Sequence, residues 1–268
     1  MVTTRKEAHP GAADFVPATD DLDALAQAVQ GCRGCDLYRD ATQAVFGQGP
    51  PHADVVLLGE QPGDMEDKRG EPFVGPAGGL LHRALREAGM SEKTVYVTNV
   101  VKHFRWRQDP RGGKRRIHQR PDAGHIAACR PWWHGEVRLL RPKVLVALGA
   151  TAGEALFGAS FRVGKVRGTV LDWPIPEDWD EQPDATIAVV PTVHPSSVLR
   201  APDRDEAYAG FVEDLRSVTE LLPERDRIDG SDGRRGANSS GSVRASRTAS
   251  LGCPGSTLRP GSTLGGEL

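Results

Sequence analysis

Cys32 and Cys35, with two residues between them, can present a pair of thiolates to one metal centre, and Cys129 offers a third soft ligand. The same C-x-x-C spacing also serves a buried structural pair or a thiol redox motif, so the cysteines alone leave those chemistries open. Cys253 stands in a terminal stretch with nothing to hold it. His103 is the better candidate for a fourth ligand, and an ordinary loop histidine is its alternative reading.

A second concentration of chemistry lies in residues 102–120, KHFRWRQDPRGGKRRIHQR, where eight Lys or Arg face one Asp. Such a run reads as a phosphate-binding surface or as a solvated face, and Lys102, Lys114, Arg115 and Arg116 are its candidate phosphate contacts. Gly112-Gly113 allows a sharp bend, Phe104 and Trp106 are suited to pack the loop onto the body, and His118 stands at its far end. Arg115 and Arg116 are expected to disfavour the imidazolium and so lower the pKa of His118.

Elements that position these residues follow from apolar periodicity. Residues 54–60, 94–101, 143–150 and 185–193 read as four buried strands, while 21–31, 79–89, 121–140, 151–157 and 204–222 read as helices. Short, continuously apolar strands alternating with helices imply an α/β fold with a mostly parallel sheet covered on both faces. Ligands in such folds sit beyond the carboxyl ends of the strands, where GEQPGD (59–64), the basic loop and HPSS (194–197) emerge. Composition sets the outer limits. The net charge of −2 gives no global basic field, and 38% hydrophobic residues suffice for a core. No stretch suits a bilayer span or a secretory signal, so a cytoplasmic, bacterial setting is the expectation. Residues 1–19 are expected to be a flexible N-terminus, 20–222 the folded domain, and 223–268 a disordered Gly/Ser/Arg-rich tail.

In their order, Cys32-x-x-Cys35, GEQPG with Glu66-Asp67, PFVGPAG (72–78), TNVVK (98–102), Cys129-Arg130-Pro131 and HPSS resemble family 4 uracil-DNA glycosylases. That family has a cysteine where this chain has His103. GEQPGD together with KRRIH (114–118) is similar to the UdgX subgroup, with Met65 a departure from its pattern. The resemblance covers roughly residues 20–222. It implies a three-layer uracil-DNA glycosylase fold with a four-stranded sheet and an iron–sulfur cluster, 4Fe–4S, on Cys32, Cys35, His103 and Cys129. A monomer acting on uracil-containing DNA, preferentially single strands, is also implied.

The resemblance further assigns roles. Phe73 would stack on the flipped uracil and Asn99 would read its edge, with Asp64 a second polar neighbour. His194 would stabilise the leaving anion, and Ser196 and Ser197 would meet flanking phosphates. His118 would attack C1′ after uracil leaves and form a lasting crosslink, with Glu60 taking its proton and Gln61 excluding or positioning water. Two rivals stand beside this expectation: a conventional turnover glycosylase, and a non-catalytic iron–sulfur or zinc DNA-binding protein.

Overall fold

The computed structural model describes residues 9–176, 179 and 186–222. The expected tail, with Cys253, lies outside the described residues. In chain order the elements are α1 (Leu22–Ala28), β1 (Val55–Gly59), α2 (Asp64–Arg69), α3 (Pro76–Glu87), β2 (Val95–Asn99), β3 (Trp106–Gln108), β4 (Arg116–His118), α4 (Ala123–Leu140), β5 (Val144–Leu148), α5 (Ala150–Phe157), α6 (Val163–Val166), β6 (Leu171–Pro174), β7 (Thr186–Thr192), α7 (Pro195–Leu199) and α8 (Arg204–Glu220).

The main sheet runs β2-β1-β5-β7-β6. Its first four strands are parallel and are the four that the apolar runs predict. A fifth strand, β6, corrects the four-stranded expectation by pairing antiparallel with β7. Its short sequence, Leu171-Asp172-Trp173-Pro174, is largely exposed, and Pro174 has no N–H to donate, so it reads poorly as a strand and is tolerated only at an edge.

Side chains on successive strand residues point to opposite faces, and here both faces are buried. Val56, Leu58, Tyr96, Leu145, Ala147 and Val189 pack on the side of α1 and α4, in one core with Trp132, Trp133 and the three cysteines. Val55, Leu57, Val97, Val146 and Val190 pack on the other side against Leu81 and Leu85 of α3 and Phe211 and Leu215 of α8. The result is three layers. Truncating fully buried Leu57 to Ala is expected to cost about 2–5 kcal/mol. Residues 9–19 are not a loose leader: Ala12 is buried and its N–H donates to the Ala128 carbonyl at 2.8 Å, so packing begins before residue 20.

Residues 102–120 fold into a hairpin rather than an irregular loop. Strands β3 and β4 pair antiparallel, with Trp106 opposite His118 and Gln108 opposite Arg116. No apolar alternation announces these two short, charged strands. Side chains fasten them instead: Trp106 Nε1 donates to the Asp40 carbonyl at 2.9 Å, and buried Phe104 lies under the Arg116 guanidinium. No described helix is long and apolar enough to cross a membrane.

Candidate active site

A cavity of about 710 Å³ opens beyond the carboxyl ends of β1, β2, β5 and β7, and Glu60, Gln61, Phe73, Asn99, His118 and His194 all line it. Asn99 is the last residue of β2 and is buried. Its neighbour across the sheet is Gly59, where an added Cβ would collide with Asn99 Oδ1 and lie 2.7 Å from the Phe73 ring. Glycine at the end of β1 is therefore what lets the amide and the aromatic ring share one space. Phe73 adopts φ 54°, a left-handed conformation unusual for a bulky residue. Glu66 holds the loops on either side, accepting from Gly63 N–H at 3.1 Å and Gly75 N–H at 2.9 Å.

His194 N-caps α7, and its Nδ1 accepts the Ser196 N–H at 3.2 Å. A backbone N–H can only donate, so in the neutral ring the proton resides on Nε2, which is left as a donor. Burial pushes its pKa down to about 4, with His118 and Arg200 adding to the effect. The Phe73 and His194 rings lie 6.3 Å apart and nearly parallel, at 28°.

His118 closes the cavity from the hairpin with its side chain 49% exposed and Nε2 3.4 Å from Glu60 Oε1. Burial holds its pKa below the ordinary value against the pull of Glu60, and Arg200 pushes the same way. The other oxygen of Glu60 accepts from Thr151 Oγ1 at 2.5 Å, and Arg120 Nε donates to that hydroxyl at 3.0 Å. Gln61 spans the base of the hairpin. Its Oε1 accepts Arg105 N–H at 3.0 Å, and its Nε2 lies 2.9 Å from Gln119 O, 3.2 Å from Arg105 O and 2.8 Å from His118 Nε2. Two amide hydrogens face two carbonyls and a ring nitrogen that accepts only when its proton is on Nδ1, so the His118 contact is exchangeable while the hairpin anchor persists.

The sequence matches the uracil DNA glycosylase superfamily model over residues 46–216. A type-4 uracil-DNA glycosylase of Sulfurisphaera tokodaii is 34% identical over 217 residues, 78% of this chain and 90% of that protein. Those of Thermotoga maritima and Archaeoglobus fulgidus are 36% and 32% identical, covering 67% and 75% of this chain and 83% and 94% of their own. The chain belongs to the uracil DNA glycosylase superfamily.

Within this uracil DNA glycosylase domain several expected roles change. Lys102 is not a DNA contact: its side chain is 0% exposed and its Nζ pairs with Glu136 Oε2 at 2.5 Å. Asp64 does not line the cavity, because Lys68 and Arg116 hold its carboxylate. Arg116 bonds Asp64 at 2.5 Å and buried Asp67 at 2.6 Å, so it ties hairpin to body instead of meeting phosphate. The low pKa of His118 thus has the expected direction and a different cause, burial first and then Arg200. Gln61, expected to exclude or position water, anchors the hairpin as well. Ser196 gives both its N–H and its hydroxyl, 2.8 Å from Nδ1, to His194. Lys114, Arg115 and Ser197 remain exposed.

Thr151, Arg120, Glu66 and Arg200 line the cavity and were not expected. Arg200 had a signal, since it closes the turn that HPSS opens. Thr151 is concealed in the sequence because the apolar run of β5 continues to residue 150, where the structure starts a helix.

Cys32, Cys35 and Cys129 are buried together on the α4 side of the sheet. Trp132 Nε1 lies 3.1 Å from Cys32 Sγ, and Lys102 N–H donates to Cys129 Sγ at 3.3 Å. Burial pushes the Cys35 thiol up to about 11 and that of Cys129 up to about 12. His103 directly follows Lys102 in the chain, and burial pushes its pKa down to about 4. Among the described residues the set whose ligand atoms all lie within 4.8 Å is His9, Asp122 and His125, in which Asp122 and His125 form the cap of α4; the three cysteines do not all lie within that distance of one another.

Proposed function

We propose that this protein excises uracil from DNA, single-stranded for preference and duplex as well, and then bonds His118 to C1′ of the abasic site, acting once and as a monomer. One observation carries this reading: the His118 imidazole, its pKa held below the ordinary value by burial, stands at the mouth of the cavity that holds Asn99, Phe73 and His194, with a carboxylate 3.4 Å from its Nε2. A base in a duplex is inaccessible, so the nucleotide is extruded into the cavity, where Phe73 stacks on uracil and Asn99 pairs with its edge. The electrons of the C1′–N1 bond leave with uracil as an anion, and the His194 Nε2–H donates toward its O2. In the tautomer protonated at Nε2, the His118 Nδ1 lone pair bonds the oxocarbenium carbon, the Nε2 proton passes to Glu60, and the uracil anion is protonated from solvent. The adduct has no neighbouring base to expel it. Exposed Lys114, Arg115 and Ser197, with Arg200 at the cavity wall, supply contacts to flanking phosphates.

Cys32, Cys35, Cys129 and His103 are assigned to an iron–sulfur cluster, 4Fe–4S. Ligands on one zinc lie at most about 4.6 Å apart, and no three of these four groups meet that spacing, which suits a cluster instead. The bound cluster would clamp the N-terminal segment to α4, and excision draws no electrons from it. Brown protein containing iron and sulfide, bleached by Cys129→Ala, supports the assignment; colourless protein containing zinc contradicts it.

The similarity to type-4 uracil-DNA glycosylases favours a second reading, turnover by water in the same cavity. A denaturing gel separates the two. Wild type on uracil-containing single-stranded DNA is expected to run as a shifted, denaturation-resistant band. His118→Ser is expected to lose that band and release abasic DNA. A wild type that releases abasic DNA with no shift supports turnover.

A further inference from the structure

Lys102, displaced from the DNA surface by its burial, occupies an unusual position. All three ammonium hydrogens have acceptors: Thr98 Oγ1 at 2.7 Å, Asn99 O at 3.0 Å and Glu136 Oε2 at 2.5 Å. Glu136 is likewise fully buried and ringed by donors, with Tyr96 OH at 3.0 Å, Thr98 Oγ1 at 3.0 Å and Gly47 N–H at 2.9 Å. A buried ion pair gains little net stability over an apolar pair of similar volume, so stability alone gives no reason for this arrangement.

The partners of the pair give one. The Asn99 carbonyl that Lys102 holds belongs to the residue whose amide lines the cavity, and Thr98 and Tyr96, which also bond the pair, precede it on β2. Glu136 stands on α4, two helical turns beyond Cys129, whose sulfur accepts the Lys102 N–H. One ion pair therefore joins the carboxyl end of the base-reading strand to the helix that carries a soft ligand.

We infer that Lys102 and Glu136 are positioning residues, which fix the Asn99 peptide and so aim its amide at uracil. This rests on the uracil-reading role of Asn99 proposed above. The pair does not touch the base. Its contribution is to orientation, where a displacement near 1 Å costs on the order of 100-fold in rate. DNA affinity resides on other, exposed residues and should be indifferent to the pair.

The test measures three quantities on Glu136→Gln and on the double variant Lys102→Met/Glu136→Leu: single-turnover uracil release at saturating DNA, affinity for uracil-free single-stranded DNA, and iron content with visible absorbance. The expected result is a loss of roughly 10- to 100-fold in release, with DNA affinity and iron content unchanged. The double variant removes both charges together, which buried sites generally tolerate, and keeps the test alive if Glu136→Gln fails to fold. Wild-type release by either folded variant overturns the inference. So does a parallel loss of release, DNA affinity and iron, or collapse of the double variant, since each shows a role in the fold alone. If wild type releases no uracil, it is the functional reading that has failed, not this inference.

Discussion

The carboxyl end of the parallel sheet and the β3–β4 hairpin supply opposite walls of one cavity, and they are held by different means. Asn99 and His194 emerge from strands buried on both faces, and the close approach of Asn99 to Phe73 depends on a backbone feature, Gly59. His118 rides on two three-residue strands fastened through side chains: Gln61 at the base, Arg116 to Asp64 and Asp67, and Trp106 to Asp40. On the proposed reading, base recognition is built into the core, whereas the group proposed to decide the fate of the abasic sugar sits on an attachment. Loosening the attachment should leave recognition standing, and the reverse should not hold.

The comparison can be broken hardest at the sheet. Asn99→Ala is expected to lower uracil release and crosslinking together by about 100-fold or more, since both depend on a bound base. Single-turnover assays on one labelled oligonucleotide read both, and crosslinking that survives lost release would contradict the order of steps. Gly59→Ala should act similarly and somewhat more weakly, as Asn99 and Phe73 must move off the new methyl group. A crystal structure of that variant would show the displacement.

At the hairpin the expected effects diverge. Gln61→Ala should cut the crosslinking rate roughly 10-fold or more through misplacement of His118, while uracil release changes little. Limited proteolysis between residues 105 and 119 should accelerate in the same variant. Arg116→Met strands the buried carboxylate of Asp67 and should cost about 3 kcal/mol of stability, measured by urea unfolding, besides weakening crosslinking.

The smallest effect concerns pH. His194 titrates near 4 when folded and near 6.5 when unfolded, so between those values the unfolded chain binds more protons and stability rises with pH. That contribution is complete above about 6.5 and is lost as pH falls toward about 4. In His118→Ala, uracil release should show no inflection near 6.5 and should decline only toward about pH 4. Release that falls as pH rises through an inflection would mean that His194 works as an imidazolium.

Much of this arrangement was legible in the sequence, for a physical reason. Strands buried on both faces write themselves as apolar runs, which is why the four parallel strands and the loops beyond them could be placed. What escaped detection was set by tertiary contacts: β6 depends on its partner β7, and the hairpin depends on bonds to α2 and Gln61. The same limit governs the charged residues. Lys102, Arg116 and Arg115 look alike as sequence. Only the fold buries the first against Glu136, ties the second to Asp64 and Asp67, and leaves the third in solvent. Thr151 carries no motif, because its importance lies in what it holds.

The most direct test of the central claim is mass spectrometry of the peptide joined to DNA after wild-type protein meets uracil-containing single strands and is digested. The account predicts a deoxyribose fragment on the peptide containing His118, with fragmentation placing it on that imidazole. Attachment at another residue, or abasic DNA with no peptide attached, would contradict it.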